Sequence, residues 1–119
     1  MNHRSLLSGL RYRGRVRSVR RDYHVLEASR HYVLLSPNGV GGGNYSVVNR
    51  AAVNYIVRRL GGTKSISSGD AFEACKRSKF LPDRFSFLNA MYALVATKRA
   101  RISKVVGQKL YFGIRKPVV

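Results

Sequence analysis

Charge of one sign dominates this sequence, because 23 Lys and Arg residues stand against 5 Asp and Glu, a formal net charge of +18. Any compact fold of such a chain carries a self-repulsion that counterions or a polyanionic partner must relieve. The chain still has the material for a core, since 45% of its residues are hydrophobic. A length of 119 residues is typical of a single domain. We therefore expect one globular domain with a strongly basic surface.

The same charge narrows the classes of partner. Nucleic acid is the polyanion that such a surface most readily binds. No apolar run approaches the roughly 18–20 residues of a membrane span, so we expect no membrane partner. Cys75 is the sole cysteine, which rules out an intramolecular disulfide and a cysteine-based zinc cluster and suits a small core side chain. We expect a cytoplasmic or nucleoid-associated protein.

Residues 1–21 are predicted to form a basic arm. Arginine occupies every second position of its last part, at Arg11, Arg13, Arg15 and Arg17. In an extended strand this spacing places all four guanidinium groups on one face, whereas a helix would scatter them. The arm is thus either a strand with one charged face or a flexible segment that orders on contact. Because the planar guanidinium matches phosphate oxygens, we favour phosphate contact over a merely solvated tail.

A β-hairpin is predicted over about residues 31–48. Its strands are His31–Ser36 and Asn44–Val48, and the loop 37–43 between them is rich in glycine and turn residues. That loop lacks the Gly-Lys-Ser/Thr ending of a phosphate-binding P-loop, so nucleotide hydrolysis is not expected. A flexible connector is the favoured interpretation, and a backbone anion site in the loop remains open.

Three helices follow. The first begins after an N-cap at Asn49 and ends at Gly61-Gly62, with apolar residues at helical spacing between them. A short β-like stretch over 63–67 leads to a second helix. The third is predicted from about Pro82 to Thr97. Its exposed face is predicted to carry small, mostly polar residues, namely Ser86, Asn89, Ala93 and Thr97, with Arg84 at its start.

The C-terminal segment is the clearest hairpin of the sequence. The stretch from Arg101 to Val106 is rich in β-formers, Gly107-Gln108 supplies a turn, and hydrophobic residues alternate from Lys109 to Ile114. Basic residues cluster along it and just before it: Lys98, Arg99, Arg101, Lys104 and Lys109.

From Asn49 to Arg115 the order of helix, short strand, helix, helix and basic hairpin resembles the winged-helix (winged helix-turn-helix) superfamily. The resemblance implies an α+β fold. The basic arm of residues 1–21 would precede a single domain over residues 22–119, in which the N-terminal β-hairpin comes before a three-helix core with a C-terminal hairpin wing. In that superfamily the third helix usually enters the DNA major groove and the wing contacts the backbone. By resemblance, Arg84, Ser86 and Asn89 would read bases, and Arg101, Lys104 and Lys109 would contact phosphate.

No catalytic site is expected. Four residues close together in the sequence could bind a metal or act as acid or base, namely Asp22, His24, Glu27 and His31. Their spacing differs from the paired-histidine pattern of a helical zinc site. We expect no enzyme activity, no metal and no cofactor.

Three functions remain open at this point. The favoured one is a DNA-binding winged-helix protein that contacts the phosphate backbone through arm and wing, with a homodimer also open. The second is an RNA-binding structural component of a ribonucleoprotein such as a ribosome, in which tyrosines stack on unpaired bases. Ordinary strand packing is the alternative role of those tyrosines, which are Tyr12, Tyr23, Tyr32 and Tyr45. The third is a protein-interaction module for an acidic partner.

Overall fold

A four-stranded antiparallel sheet forms the N-terminal part of the molecule. The structure, a computed structural model, describes residues 9–37 and 41–117. Strands β1, β2, β3 and β4 lie in the sheet in the order in which they occur in the chain. Their bounds are Arg11–Arg17, Asp22–Glu27, His31–Pro37 and Gly43–Asn49.

Three helices and a second, three-stranded sheet complete the fold. The helices are α1 (Arg50–Leu60), α2 (Ser68–Cys75) and α3 (Arg84–Ala96). The strands are β5 (Ile66–Ser67), β6 (Ala100–Val106) and β7 (Lys109–Ile114), with β7 between the other two. The predicted helices and the C-terminal hairpin are thus confirmed as elements, although α3 begins two residues after Pro82.

Local sequence signals explain where the helices begin. The Asn49 side chain accepts a hydrogen bond from the Ala51 amide at 2.8 Å, and the Asp83 side chain accepts one from Ser86 at 2.7 Å. Each satisfies an amide that has no partner within its helix. The apolar stripe predicted for α1 is buried throughout: Ala52, Val53, Ile56, Val57 and Leu60.

The predicted architecture, a three-helix winged-helix core with a C-terminal hairpin wing behind a basic arm and an N-terminal β-hairpin, is wrong. Residues assigned to the arm form strand β1, and β2 joins it to the hairpin, so that a complete four-stranded sheet precedes the helices. Val16, Val25 and Leu34 are buried on the inner face of this sheet. The N-terminal segment is therefore a layer of the fold that covers α3.

Helix α3 lies against that inner face. It contacts β1, β2, β3 and β4, and it also contacts α1, α2 and β6. The Tyr92 ring stacks on Tyr23 of β2 at 4.7 Å between centroids, and its hydroxyl hydrogen-bonds the Ser18 hydroxyl at 2.8 Å. A helix that is hydrophobic on all sides is a buried helix, and α3 fits that rule.

Candidate nucleic-acid interface

The arginines of β1 do not share one face. The pairing with β2 is irregular between Tyr12 and Gly14, so that Arg13 is an extra, bulged residue. Beyond the bulge, Arg15 lies on the outer face, opposite the buried Val16. Before it, Arg11 pairs with Glu27, which lies on the same side as the buried core of the sheet. The period-two prediction is therefore wrong, because one bulge reverses the alternation.

Carboxylates also neutralise much of the β1 charge. Glu27 forms ion pairs with Arg11 at 3.3 Å and with Arg13 at 3.1 Å. Asp22 pairs with Arg17 at 3.2 Å and lies 4.0 Å from Arg15. Four arginines therefore share two carboxylates, and the strand offers a phosphate backbone less free charge than its sequence suggests.

The three residues predicted to read bases do not share an exposed helix face. Asn89 is 4% exposed, so the expectation that it lies on an exposed helix face is wrong. Strand β4 packs against α3, and its residues line one depression together with Ser86 and Asn89. Arg84 is exposed and Ser86 is half-buried at the start of α3. Arg84 borders a depression that Asp70, Glu73 and Lys109 also line.

Two lysines of the C-terminal hairpin gather around one aromatic ring. Lys104 lies 4.5 Å and Lys109 5.9 Å from the centroid of Tyr111. Both lysines are exposed. Cation–π attraction holds the ammonium groups near the ring without neutralising them. This end of the hairpin is a small basic site.

A larger group of cations lies elsewhere, in what we call the basic cleft. It consists of two adjoining depressions of about 590 and 670 Å³ that share Lys98, Arg115 and Lys116. Their sizes are those of small-ligand sites. The seven cations that line the cleft are Arg58, Lys64, Lys98, Arg99, Arg101, Arg115 and Lys116.

Opposite charge does not balance the basic cleft. None of the described residues lining either depression is acidic. Asp22 and Glu27 are engaged by arginines, Glu73 pairs with Lys76 at 2.7 Å, and Asp83 caps α3. Among the described residues, the seven cations of the cleft make no ion pair with a carboxylate. Their charge is therefore available to an anionic partner.

The pairing of the second sheet brings the basic cleft together. Strand β7 lies between β5 and β6, which places residues just before β5 beside residues at the start of β6. The Lys64 carbonyl and the Arg101 side chain both lie close to Gly113, where a Cβ atom would come within 2.6 Å of the former. Lys98, Arg99 and Arg101 were predicted from the sequence as contact residues, whereas Arg58, Lys64, Arg115 and Lys116 were not. Lys64, Arg115 and Lys116 flank strands β5 and β7, and that position was the available signal, whereas Arg58 lies on α1.

Lys98 occupies an unusual backbone conformation in the middle of the cleft. Its φ is 65°, in the left-handed region that favours glycine. The Lys98 amide donates to the Val95 carbonyl and the Arg99 amide to the Leu94 carbonyl, which together form a Schellman motif ending α3. A position that helices usually fill with glycine thus holds a cation here.

Arg99 connects the basic cleft to the core of the molecule. Its guanidinium donates to the buried Tyr32 hydroxyl at 2.9 Å, and Arg50 donates to the same oxygen at 3.2 Å. Arg50 also binds Glu27 at 2.7 Å. Burial would raise the pKa of Glu27, but the hydrogen bonds from Arg50, Arg11 and Tyr32 hold it below its ordinary value. Burial raises the pKa of the Tyr32 hydroxyl although Arg99 and Arg50 oppose the rise.

The candidate metal set is dispersed. Asp22 and His24 lie on the outer face of the first sheet, and Glu27 lies on the inner face. His31 follows on the next strand. Residues 9–37 and 41–117 contain no group of three His, Cys, Asp or Glu side chains placed to hold a metal ion. In the loop 37–43, residues 38–40 lie outside the described residues, as do residues 1–8 of the predicted arm.

Comparison with known proteins found no match to a family model, a curated protein or a solved structure. In the part of the chain that the structure describes, no helix has the length and apolar character needed to cross a membrane.

Proposed function

We propose that this protein is a non-enzymatic nucleic-acid-binding protein that holds the phosphate backbone in its basic cleft. The observation that carries the proposal is the set of seven cations around the cleft, none of them paired with a carboxylate of the described residues. Unpaired cations release condensed counterions from a nucleic acid when they contact its phosphates. Backbone contacts of this kind give affinity without base specificity.

The earlier preference for DNA depended on an exposed third helix that reads a groove. Helix α3 instead lies under the four-stranded sheet and Asn89 is buried, so neither favours DNA over RNA. The proposal is therefore for nucleic acid in general. The hairpin site of Lys104, Lys109 and Tyr111, and the outer guanidiniums of Arg15 and Arg17, are secondary contacts.

Salt dependence of binding tests the proposal. If about six phosphates are contacted, the slope of log K against log salt is near −5 for a duplex. Arg115→Gln removes a charge that both depressions of the cleft share and should reduce that slope by about 1. Arg77→Gln is the matched control, because Arg77 is exposed and does not line the cleft.

Equal effects of the two variants would remove the assignment to the cleft. A slope near zero for the unmodified protein would refute phosphate contact altogether. Preferential binding to an acidic polypeptide over nucleic acid at equal salt would favour the protein-interaction alternative instead.

A further inference from the structure

The outer face of the first sheet carries a patch of exposed aromatic and apolar side chains. Two cross-strand rows form it, each running from β1 to β4 through paired residues. Tyr45 is 74%, Val47 62%, Tyr12 57% and Leu35 40% exposed. Soluble domains seldom expose such a group of large apolar side chains on one surface without using it.

The four tyrosines near the N-terminus divide between two roles. Tyr32 is fully buried, and Tyr23 stacks on Tyr92 against the core. Tyr12 and Tyr45 instead lie on the outer face, because Tyr12 pairs with Leu26, and Tyr45 pairs with Leu35. Strand packing thus accounts for two of the tyrosines and leaves two rings facing solvent.

Tyr12 is also held in place. Its hydroxyl hydrogen-bonds Nδ1 of His24 at 2.9 Å, and the two rings lie 5.9 Å apart between centroids. An aromatic ring fixed in this way loses little conformational freedom when a ligand stacks on it. Arg15, paired across the strands with His24, supplies a cation beside the two rings.

We propose that this outer face stacks unpaired bases of a single-stranded nucleic acid, an inference that rests on the proposed function. Tyr12 and Tyr45 lie on the first and fourth strands, roughly 16 Å apart from strand and residue spacings. They therefore meet different bases of one strand. Aromatic side chains on a positively charged surface are the common means of binding unpaired strands.

The net charge of +18 argues for this occupant over a second copy of the chain. Two such chains repel each other, whereas a nucleic acid is attracted at long range, before its bases contact the tyrosine rings. The patch also keeps a net positive charge on the same face, since Arg15 and Arg17 lie opposite the buried Val16 and share the single carboxylate of Asp22.

The test compares a labelled uridine oligonucleotide of about 12 nucleotides with a duplex of the same length, within the site sizes of single-strand binders. Tyr45→Ala and Tyr12→Ala should each weaken binding of the single strand about five- to 150-fold and change duplex binding less than about twofold. Tyr45→Phe keeps the ring and should bind within about twofold of the unmodified protein. Val47→Ala removes an exposed apolar group of the same face that cannot stack, so it should weaken binding of the single strand far less than Tyr45→Ala does.

Other outcomes overturn the proposal in distinguishable ways. If Arg115→Gln weakens both ligands while neither tyrosine variant has an effect, stacking is refuted and backbone binding in the cleft stands. If the unmodified protein binds neither ligand, both proposals fail. Equal losses from Val47→Ala and Tyr45→Ala, or a dimer in sedimentation that both variants dissociate, would assign the face to a protein partner or to a second copy.

Discussion

Replacing Lys98 by glycine should make the protein more stable and a weaker binder at once. Lys98 holds the left-handed position of the Schellman motif at the end of α3, with φ 65°. That conformation costs a residue with a Cβ atom about 1–2 kcal/mol. The greater chain entropy of glycine in the unfolded state offsets about 0.4–1 kcal/mol of the gain. The net expectation is a stabilisation of about 0–1.6 kcal/mol, with a midpoint of about 0.8 kcal/mol, or about 3 °C in Tm for a domain of this size.

The same substitution removes a cation that lines both depressions of the basic cleft. The salt slope should fall by about 1, and affinity at moderate salt by about two- to fivefold, as for an exposed ion pair. Calorimetry measures the increase in Tm. A binding titration at several salt concentrations measures the change in affinity and in salt slope.

Two control variants separate the effect of backbone strain on stability from the effect of the positive charge on binding. Lys98→Ala removes the charge but keeps the strain, so it should lose affinity without a gain in Tm. Lys98→Arg keeps both charge and strain, and it should resemble the unmodified protein. A lower Tm for Lys98→Gly, or unchanged binding, would refute the reasoning, because the residue would then be neither strained nor in contact with phosphate.

Two further predictions concern the core. Glu27→Gln leaves Arg50, Arg11 and Arg13 without their shared carboxylate and should cost about 1–3 kcal/mol in unfolding free energy. Because the pKa of Glu27 is lowered in the folded state, this difference from the unmodified protein should persist above pH 4.5 and shrink as the pH falls below it, in denaturant titrations. Burial raises the pKa of the Cys75 thiol to about 11, so a thiol reagent at about pH 8 should label it only at the rate of unfolding. Rapid labelling of the native protein would contradict the buried placement.

Much of the local structure followed from the sequence. The stripe of α1, its Asn49 cap and the turn at Gly107-Gln108 were predicted from spacing and turn chemistry alone, and the structure contains them. These signals are local, because each depends on residues within a few positions of one another. The burial of Cys75 was likewise predicted from its chemistry.

The errors concern long-range packing. The β1 segment was assigned to an arm because its many arginines outweighed the single apolar signal of Val16, which is buried. An alternating pattern gives no sign of a bulge, so the irregular pairing at Arg13 was not predicted. The almost uniform hydrophobicity of α3 was the available sign that something covers this helix, and it conflicted with an exposed Asn89. The basic cleft was only half identified, since strand pairing brings Lys64 and Arg115 to residues distant in the sequence.

We argue that phosphate binding depends on where the positive charges lie, in the basic cleft, and not on the net charge of the chain. Two triple variants, each removing three positive charges, compare these alternatives in one salt titration. The first changes Arg101, Arg115 and Lys116 of the basic cleft to glutamine, and the second changes Arg11, Arg15 and Arg17, whose carboxylate partners already offset them. The cleft variant should reduce the slope of log K against log salt by about 3 and the strand variant by about 1 or less. Equal reductions in slope, with both variants folded, would contradict the assignment of phosphate binding to the cleft.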